Sequence, residues 1–504
     1  MVTKMSVRPD MYNYKNVPLA VSLDQKISDI RHILCNSSDL LINPIEIAGV
    51  KAAVIAFEGM ISTSTTSRMI MLPLMQIDLP DGTTPTELYD HIHDKMMMTL
   101  DRVITVEYGE LITRVMSGFA ILMIDGIDKV FSLGVQGYDK RGVDEPSSEG
   151  NIMGSHDGFV ETVRTNMSLV RRRIKSPLLQ FELFSVTTKS NVDVILCFMA
   201  DRVPKKLVKT LRRKLEELPL ETILGSGYPE PFITDGQPSM FSGAYVTERP
   251  DVMCAKLLEG RVGLMIEGTP YALVIPALFT DNFQTLDDYN FRPYYASFIR
   301  IIRYAAFILS VFLPGIYTAA VMYHREILHM GLLLNLASAE MSAPLPIPAE
   351  AIIVLIFYEV IREAGVRLPK SVGGAVSIIG GLIIGDAAVS SGIITNPMLL
   401  VCAISVTASF VIPSLNQPIT VLRLICIIAA SLFGLYGAAL TAAAVLVNIC
   451  TPENYGVPLS APLQPFTGGA MKDIFIRSGF KKLAGNTIAA EDLRGVHMNK
   501  SCDD

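Results

Sequence analysis

The chain has 504 residues, half of them hydrophobic, with a mean hydropathy of +0.40 and a formal net charge of −6. This acidic balance argues against nucleic-acid binding, which usually shows as a basic excess. Its seven cysteines are scattered without a C-x-x-C pair, so they indicate neither a disulfide framework nor a zinc site.

Charged residues occur every few positions up to about residue 300 and then almost disappear. Between residues 371 and 450 only Asp386 and Arg423 are charged. A membrane-spanning helix needs about 20 mostly apolar residues. We therefore expect a soluble N-terminal domain of α/β or α+β class with two subdomains, followed by an all-α polytopic membrane domain with four to six helices.

The N-terminal part reads as alternating strands and helices. Residues 1–40 are polar and unpatterned, which predicts a flexible segment. Turn residues predict three hairpins, and the glycine- and proline-rich stretch 225–238 predicts a boundary between subdomains at 41–225 and 226–298. The predicted elements are a strand at 50–57, helices at 84–98, 108–117, 157–175 (capped by Asp157) and 204–218, and hairpins at 119–135, 180–199 and 262–279.

The apolar part, 299–450, contains four convincing spans: 301–322, 372–392, 397–412 and 419–449. Two further helical patterns, 327–343 and 349–364, carry glutamates and are separated by prolines. They predict an interfacial or re-entrant hairpin, or two more spans.

Orientation follows from the ends of the chain. Met1–Ile30 has no apolar signal-peptide core, and arginines 292, 300 and 303 precede or open the first apolar run. The tail 451–504 is also rich in lysine and arginine. The positive-inside rule then places the soluble domain and the tail on the cytoplasmic side.

Two features of the apolar part could carry function. Asp386 and Arg423 would each cost roughly 3 kcal/mol inside a bilayer, so Asp386 could line an ion path or pair with Arg423. Alternatively, each could lie near an interface. A stripe of small residues at four-residue spacing predicts close helix packing, within one subunit or between subunits around an axis. The stripe consists of Gly373, Ser377, Gly381 and Gly385.

Motifs of enzymes are missing from the sequence: there is no P-loop, no H-E-x-x-H and no G-x-S-x-G. His91 and His93 lie two apart on a predicted helix and so point to different faces. We therefore expect no catalysis, no cofactor and no metal. A secondary transporter is an alternative, but transporters usually have about ten spans and internal repeats, and neither is evident here.

Several strings, in order between about residues 100 and 470, resemble the A subunit of GerA-type spore germinant receptors. They are Met123-Ile124-Asp125-Gly126, Arg141-Gly142-Val143-Asp144-Glu145-Pro146, the stretch from Phe159 to Arg171-Arg172-Arg173, Thr247-Glu248-Arg249-Pro250-Asp251, Leu257-Leu258-Glu259-Gly260-Arg261 and Ile361-Arg362-Glu363-Ala364-Gly365-Val366-Arg367-Leu368-Pro369. The sequence departs from the family pattern after Glu145-Pro146 and at Asp386, where a neutral polar residue is expected.

The resemblance implies a receptor component in the spore inner membrane that helps a dormant endospore to sense nutrients. It implies partnership with a transporter-like B subunit and a lipoprotein C subunit, oligomerisation of the A subunit, contact with membrane lipids, and signalling by release of monovalent cations. A family relative encoded with the dipicolinate-transport proteins shares this architecture, so both assignments stay open. No residue is assigned to nutrient contact.

Overall fold

The computed structural model describes residues 14–80, 82–96, 99, 101–137, 149–150, 152–187, 189–234, 239–368, 385–483 and 489–497. Two five-stranded antiparallel sheets form the first part of the chain, and apolar helices form most of the rest.

The first sheet has the strand order β1-β2-β4-β5-β3. Both of its faces are covered, and residues of β2 and β4 alternate between two separate cores. This explains why Val50–Phe57 is almost continuously apolar. The strands are β1 (Leu40–Ile47), β2 (Val50–Phe57), β3 (Arg102–Thr105), β4 (Phe119–Ile124) and β5 (Val130–Gly134).

Helices α1 (Leu23–Ile33) and α3 (Tyr108–Val115) cover one face of this sheet, and α2 (Pro85–Lys95) covers the other. A helical segment built from Thr63–Thr66, Ser67–Met71 and Leu72–Met75 lies beside α2. A capping box between Thr84 and Glu87 opens α2, where the sequence predicts a helix start.

The flexible N-terminal segment predicted for 1–40 is wrong for the part that the structure describes. Leu23 and Ile30 of α1, and Leu34 directly after it, are buried in the first core. Polar and charged residues lie between them, and one of these, Lys26, is itself buried and donates to the Ile124 carbonyl oxygen (2.9 Å), so the apolar periodicity is not evident in the sequence.

The second sheet has the order β6-β7-β9-β10-β8, the same as the first. Helices α4 (Val163–Arg173) and α6 (Pro250–Leu258) pack on one face, and α5 (Lys205–Glu216) packs on the other. The strands are β6 (Leu179–Val186), β7 (Val192–Met199), β8 (Tyr245–Thr247), β9 (Val262–Ile266) and β10 (Ala272–Ile275).

The two sheet units therefore repeat one α-β-β-α-β-α-β-β order, although no repeat was evident from the sequence. The repeat extends to side chains. Asp125, after β4, accepts a hydrogen bond from the Leu23 N–H at the start of α1 (2.8 Å), and Glu267, after β9, accepts one from the Val163 N–H at the start of α4 (2.8 Å). The shared signal is an apolar strand ending in Ile-Asp-Gly or Ile-Glu-Gly.

Two predicted boundaries differ from the structure. The subdomain boundary at residue 226 falls inside the second sheet, because β6 and β7 pair with strands beyond it; the glycine- and proline-rich stretch is a loop within one unit. The helix predicted from Asp157 begins at Val163, and Asp157 instead forms an ion pair with Arg173. The three predicted hairpins are confirmed.

The apolar region contains α7 (Pro293–Tyr323), α8 (Met330–Ser342), α9 (Ile347–Arg367), α10 (Asn396–Ser409), α11 (Asn416–Phe433) and α12 (Leu435–Cys450). Helix α7 packs along α10, α11 and α12. Among the described residues, two helices are long and apolar enough to cross a membrane: Pro293–Tyr323, and α11 with the turn before it, Pro413–Phe433. The predicted number of four to six spans stays a prediction.

Two further predictions for this region concern membrane spans. The single long span predicted at 419–449 is wrong, because Gly434, at φ +61° and ψ −145°, separates α11 from α12; this backbone conformation is essentially restricted to glycine. Most of the predicted span 372–392 lies outside the described residues.

The segment after α12 returns to the second sheet unit instead of extending away as a tail. Val457, Ala461 and Leu493 are buried in the core beside α5. The Phe279 N–H also donates to the Leu459 carbonyl oxygen (2.8 Å). The start of α7 and the end of α12 are thereby held by the same sheet unit.

Candidate functional site

A cluster of buried and partly buried charges lies where the second sheet unit meets α7. We call it the junction and define it by Asp281, Asp288, Arg300, Arg303 and Asp473. Its carboxylates come from the connection between β10 and α7 and from the segment after α12, while its two arginines lie in the first turns of α7. The junction therefore joins three parts of the chain.

Asp281 anchors the connection to the sheet unit. Its carboxylate accepts from Lys256 Nζ of α6 (2.8 Å), from Arg261 Nη1 (2.5 Å) and from the Leu278 N–H (2.8 Å). Burial alone would raise the pKa of Asp281, but the two adjacent cations outweigh it and hold that pKa well below its usual range. Asp281 is thus charged and fully paired in a buried position.

Asp288 and Asp473 hold the base of α7. Arg300 is fully buried and donates from Nε to Asp288 (2.8 Å) and from Nη1 to Asp473 (2.8 Å). Arg303 donates from Nη1 to both oxygens of Asp288 (2.9 and 2.8 Å). Two carboxylates thus balance two guanidinium groups, so the burial of these charges is compensated.

A second buried ion pair connects the two sheet units. Arg171 on α4 donates from Nε and Nη2 to the two carboxylate oxygens of Asp39 (2.9 and 3.0 Å). Both side chains are 1–2% exposed, and the guanidinium lies over the rings of Phe57 and Phe181, 4.7 and 4.8 Å from their centroids. Of its neighbours in the basic run, Arg172 is exposed and Arg173 contacts Asp157.

Other motif residues also lie in the second sheet unit. Arg249 pairs with Asp251 (2.6 Å) beside Pro250, which begins α6. Glu248 is buried, and its carbonyl oxygen accepts from the Phe159 N–H (2.7 Å). Together these contacts hold the start of α6 and the strand before α4.

Glu259, Gly260 and Glu149 also make close contacts in the second sheet unit. Glu259 pairs with Arg261 (2.9 Å), and a Cβ added to Gly260, at φ +80°, would lie 2.8 Å from the Arg202 carbonyl oxygen. Glu149 accepts from the Thr247 hydroxyl (2.8 Å), and its burial raises its pKa to about 7. Sequence reasoning did not select Glu149, Asp281, Asp288 or Asp473 as site residues, because their partners are distant in sequence.

The structure places the two predicted intramembrane charges apart. Arg423 is 2% exposed between α7, α10 and α11, and its Nε donates to the Ser310 carbonyl oxygen (2.8 Å). Asp386 is exposed, and no ion pair joins it to Arg423 in the described part of the chain. Arg423 is thus held by backbone carbonyls in the helix core.

Some of the remaining predicted site residues lie in the part of the chain that the structure describes, and the others lie outside it. Arg362 pairs with Glu359 (2.5 Å), Glu363 pairs with Arg367 (2.6 Å), and Gly365 lies in the last turns of α9. Gly385 precedes Asp386 and has Leu399 nearby. Gly373, Ser377, Gly381, Arg141, Glu145, Pro146 and Pro369 lie outside the described residues.

Comparison with known proteins gives consistent matches over almost the whole chain. Residues 28–487 match the family model described as Bacillus/Clostridium GerA spore germination protein. The chain is 35% identical over 466 residues to spore germination protein KA of Bacillus subtilis, covering 92% of this chain and 85% of that protein. It is 32% identical to the uncharacterized membrane protein YfkQ of the same organism (92% and 90% covered).

A third relative is spore germination protein GerLA of Bacillus cereus, 29% identical over 477 residues (92% and 94% covered). Among solved structures, a crystal structure of the N-terminal domain of the A subunit of the Bacillus megaterium spore germinant receptor GerK3 is 30% identical, with a TM-score of 0.41. That match covers 52% of this chain and 98% of that one. The extent of the family match shows that this chain belongs to the GerA spore germination protein family.

Proposed function

We propose that the chain is the membrane subunit of a spore germinant receptor and that it converts nutrient sensing into germination as an oligomeric, ligand-gated cation channel. Membership in the GerA family supports the receptor role. The channel role draws its support from the way in which the sheet units are connected to the apolar helices.

The observation that carries this proposal is the junction. A displacement of the second sheet unit reaches α7 through Asp281 and Asp288, because both carboxylates lie on the short connection between them. Buried, fully paired charges are costly to separate, so the connection moves as one body and does not stretch. Packed elements of this kind can carry coupling between distant sites.

The arrangement of the chain also supports a multi-pass membrane location with both ends on one side. The segment after α12 packs on the same sheet unit that precedes α7. This arrangement agrees with a topology in which the two sheet units and the C-terminal segment both lie on the cytoplasmic side of the spore inner membrane. The buried Arg423 agrees with a bundle whose polar group faces protein, not lipid.

We further propose that Asp386 faces an ion path in the assembled oligomer. Its carboxylate is exposed on a single chain, and exposure to lipid would be costly, so water or a neighbouring subunit is the favoured environment. The small-residue stripe that ends at Gly385 would supply contacts between subunits. A transporter-like B subunit and a lipoprotein C subunit are the proposed partners, with membrane lipids around the helices.

The proposal is tested by potassium flux through the purified full-length chain in liposomes, with the oligomeric state measured in the same detergent. A ring of subunits with flux supports a channel, and solute counterflow without conductance would favour the alternative, a secondary transporter. Asp386→Asn should reduce flux while assembly is unchanged; Glu363→Gln, an exposed site on α9, is the matched control. Normal flux in the Asp386→Asn variant would remove this residue from the path.

A further inference from the structure

The apolar part of α7 begins at a definite residue. Arg303 is the last charged residue of this helix, and about 20 uncharged residues follow it, from Tyr304 to Tyr323. At about 1.5 Å per residue they extend about 30 Å, which is the thickness of the hydrocarbon core of a bilayer. In the proposed membrane location, Tyr304 therefore lies at the boundary between the lipid headgroups and the hydrocarbon.

The segment 474–483, which follows α12 in the chain, packs against α7 at this boundary. The rings of Phe475 and Tyr304 have their centroids 4.7 Å apart. Arg477 is buried, and its N–H donates to Ser297 Oγ in the second turn of α7 (3.0 Å). The segment is thus fixed to the part of α7 that enters the membrane.

Two large apolar side chains of this segment are left uncovered. Ile476 is 63% exposed and Phe480 is 59% exposed. One face of the Phe480 ring lies against the Arg477 guanidinium, whose central carbon is 4.2 Å from the ring centroid. Tyr294 and Phe298, in the first turns of α7, are exposed as well. Aromatic side chains are enriched where a membrane meets water, so this surface has the character of an interfacial belt.

The same segment carries an excess of positive charge. Residues 471–483 include four basic residues and one acidic residue, Asp473, which pairs with Arg300 in the junction. Lys481 and Lys482 directly follow Phe480, and both are exposed. Within the part of the chain that the structure describes, no carboxylate pairs with either lysine. Lysines beside an exposed aromatic ring complement the phosphate groups of an anionic lipid surface.

We infer that residues 474–483 form an interfacial anchor that binds anionic phospholipids on the cytoplasmic side of the membrane. Ile476 and Phe480 enter the boundary between headgroups and acyl chains, and Lys481 and Lys482 contact lipid phosphates. The inference rests on the proposed membrane location and extends it. Because Asp473 lies directly before the anchor, the negative charge of the leaflet acts on the junction at the base of α7.

The sequence contains no tryptophan, which makes a depth measurement possible on the full-length chain. Phe480→Trp introduces one tryptophan into the anchor. The variant is reconstituted in vesicles of phosphatidylcholine brominated at shallow or at deep acyl positions, with or without phosphatidylglycerol. Bromine quenches the fluorescence of a tryptophan that it contacts. Ile316→Trp, at an exposed site near the middle of α7, is the reference within lipid, and Leu72→Trp, at an exposed site of the first sheet unit, is the reference in water.

Shallow bromines should quench Phe480→Trp more strongly than deep ones, and phosphatidylglycerol should increase the quenching. In that variant, Lys481→Gln with Lys482→Gln should shift the docking equilibrium about 30-fold toward the undocked state, which corresponds to about 1 kcal/mol for each lysine. Lys51→Gln with Lys129→Gln is the matched control, because it removes the same charge from exposed sites of the first sheet unit. The control should leave the quenching unchanged.

The outcomes separate the anchor from the proposed membrane location. Equal quenching of Phe480→Trp and Leu72→Trp, with Ile316→Trp quenched, would overturn the anchor and leave the membrane location standing. An unquenched Ile316→Trp would contradict the membrane location itself. Quenching that responds neither to phosphatidylglycerol nor to the two lysines would overturn the recognition of anionic lipid. Protection of Phe480→Trp from both bromine and aqueous iodide would show that protein covers the segment in place of lipid.

Discussion

Replacing Asp288 by asparagine should destabilise the base of α7 more than any exposed charge change. The substitution keeps the size of the side chain but removes the charge that Arg300 and Arg303 share. One carboxylate, Asp473, then remains for two guanidinium groups. Removing one partner of a buried ion pair typically costs about 3–5 kcal/mol, because the other charge is left without compensation.

A double variant tests whether charge balance is the cause. Asp288→Asn together with Arg303→Met again leaves one guanidinium, that of Arg300, facing one carboxylate, that of Asp473. The cost of the double variant should therefore fall below the sum of the two single costs by about 0.5–3 kcal/mol, the range found for residues in direct contact.

The assay is thermal unfolding of the full-length chain in one detergent, followed by circular dichroism. At about 2 °C per kcal/mol, the loss predicted for Asp288→Asn lowers the melting temperature by about 6–10 °C. Asp24→Asn, on the exposed face of α1, is the control and should change the unfolding free energy by less than about 0.5 kcal/mol. A cost below about 1 kcal/mol for Asp288→Asn, or full additivity in the double variant, would refute the reasoning.

Two further predictions concern the sheet units. Asp39→Asn should lower the unfolding free energy by about 3–5 kcal/mol, because Arg171 would stay buried without its carboxylate. The double variant Asp39→Leu with Arg171→Met should recover most of that loss. A double variant that is as unstable as Asp39→Asn would contradict this. Glu149, with its pKa raised by burial from 4.5 to about 7, binds its proton more tightly in the folded state. The unfolding free energy should therefore fall as pH rises from about 4.5 to 7, by about 2–3 kcal/mol, and stay low above that. Glu149→Gln should abolish the fall, as melting temperatures from pH 4 to 8 would show; an unchanged pH profile would exclude Glu149 as its source.

Local patterns in the sequence determined the elements that depend on neighbouring residues. Turn residues predicted all three hairpins, because a tight turn needs particular backbone angles whatever surrounds it. The sequence also predicted a helix from Thr84, and in the structure a capping box between Thr84 and Glu87 opens α2 there, since both partners of such a box lie within one helical turn. The loss of charge after residue 300 predicted the apolar helices, and the strings from Asp125 to Gly365 indicated the family.

Other features were decided only in the tertiary structure. The pairing of β7 with β9 carries the second sheet across the loop that looked like a domain boundary, because glycine and proline mark a turn without showing which strands it connects. The junction joins Asp288, Arg300 and Asp473 over as many as 185 positions, and Ser297 meets Arg477 across 180. Such contacts depend on which surfaces the fold brings together, and no spacing in the sequence encodes them. The charges at these sites are therefore visible in the sequence, but their partners are not.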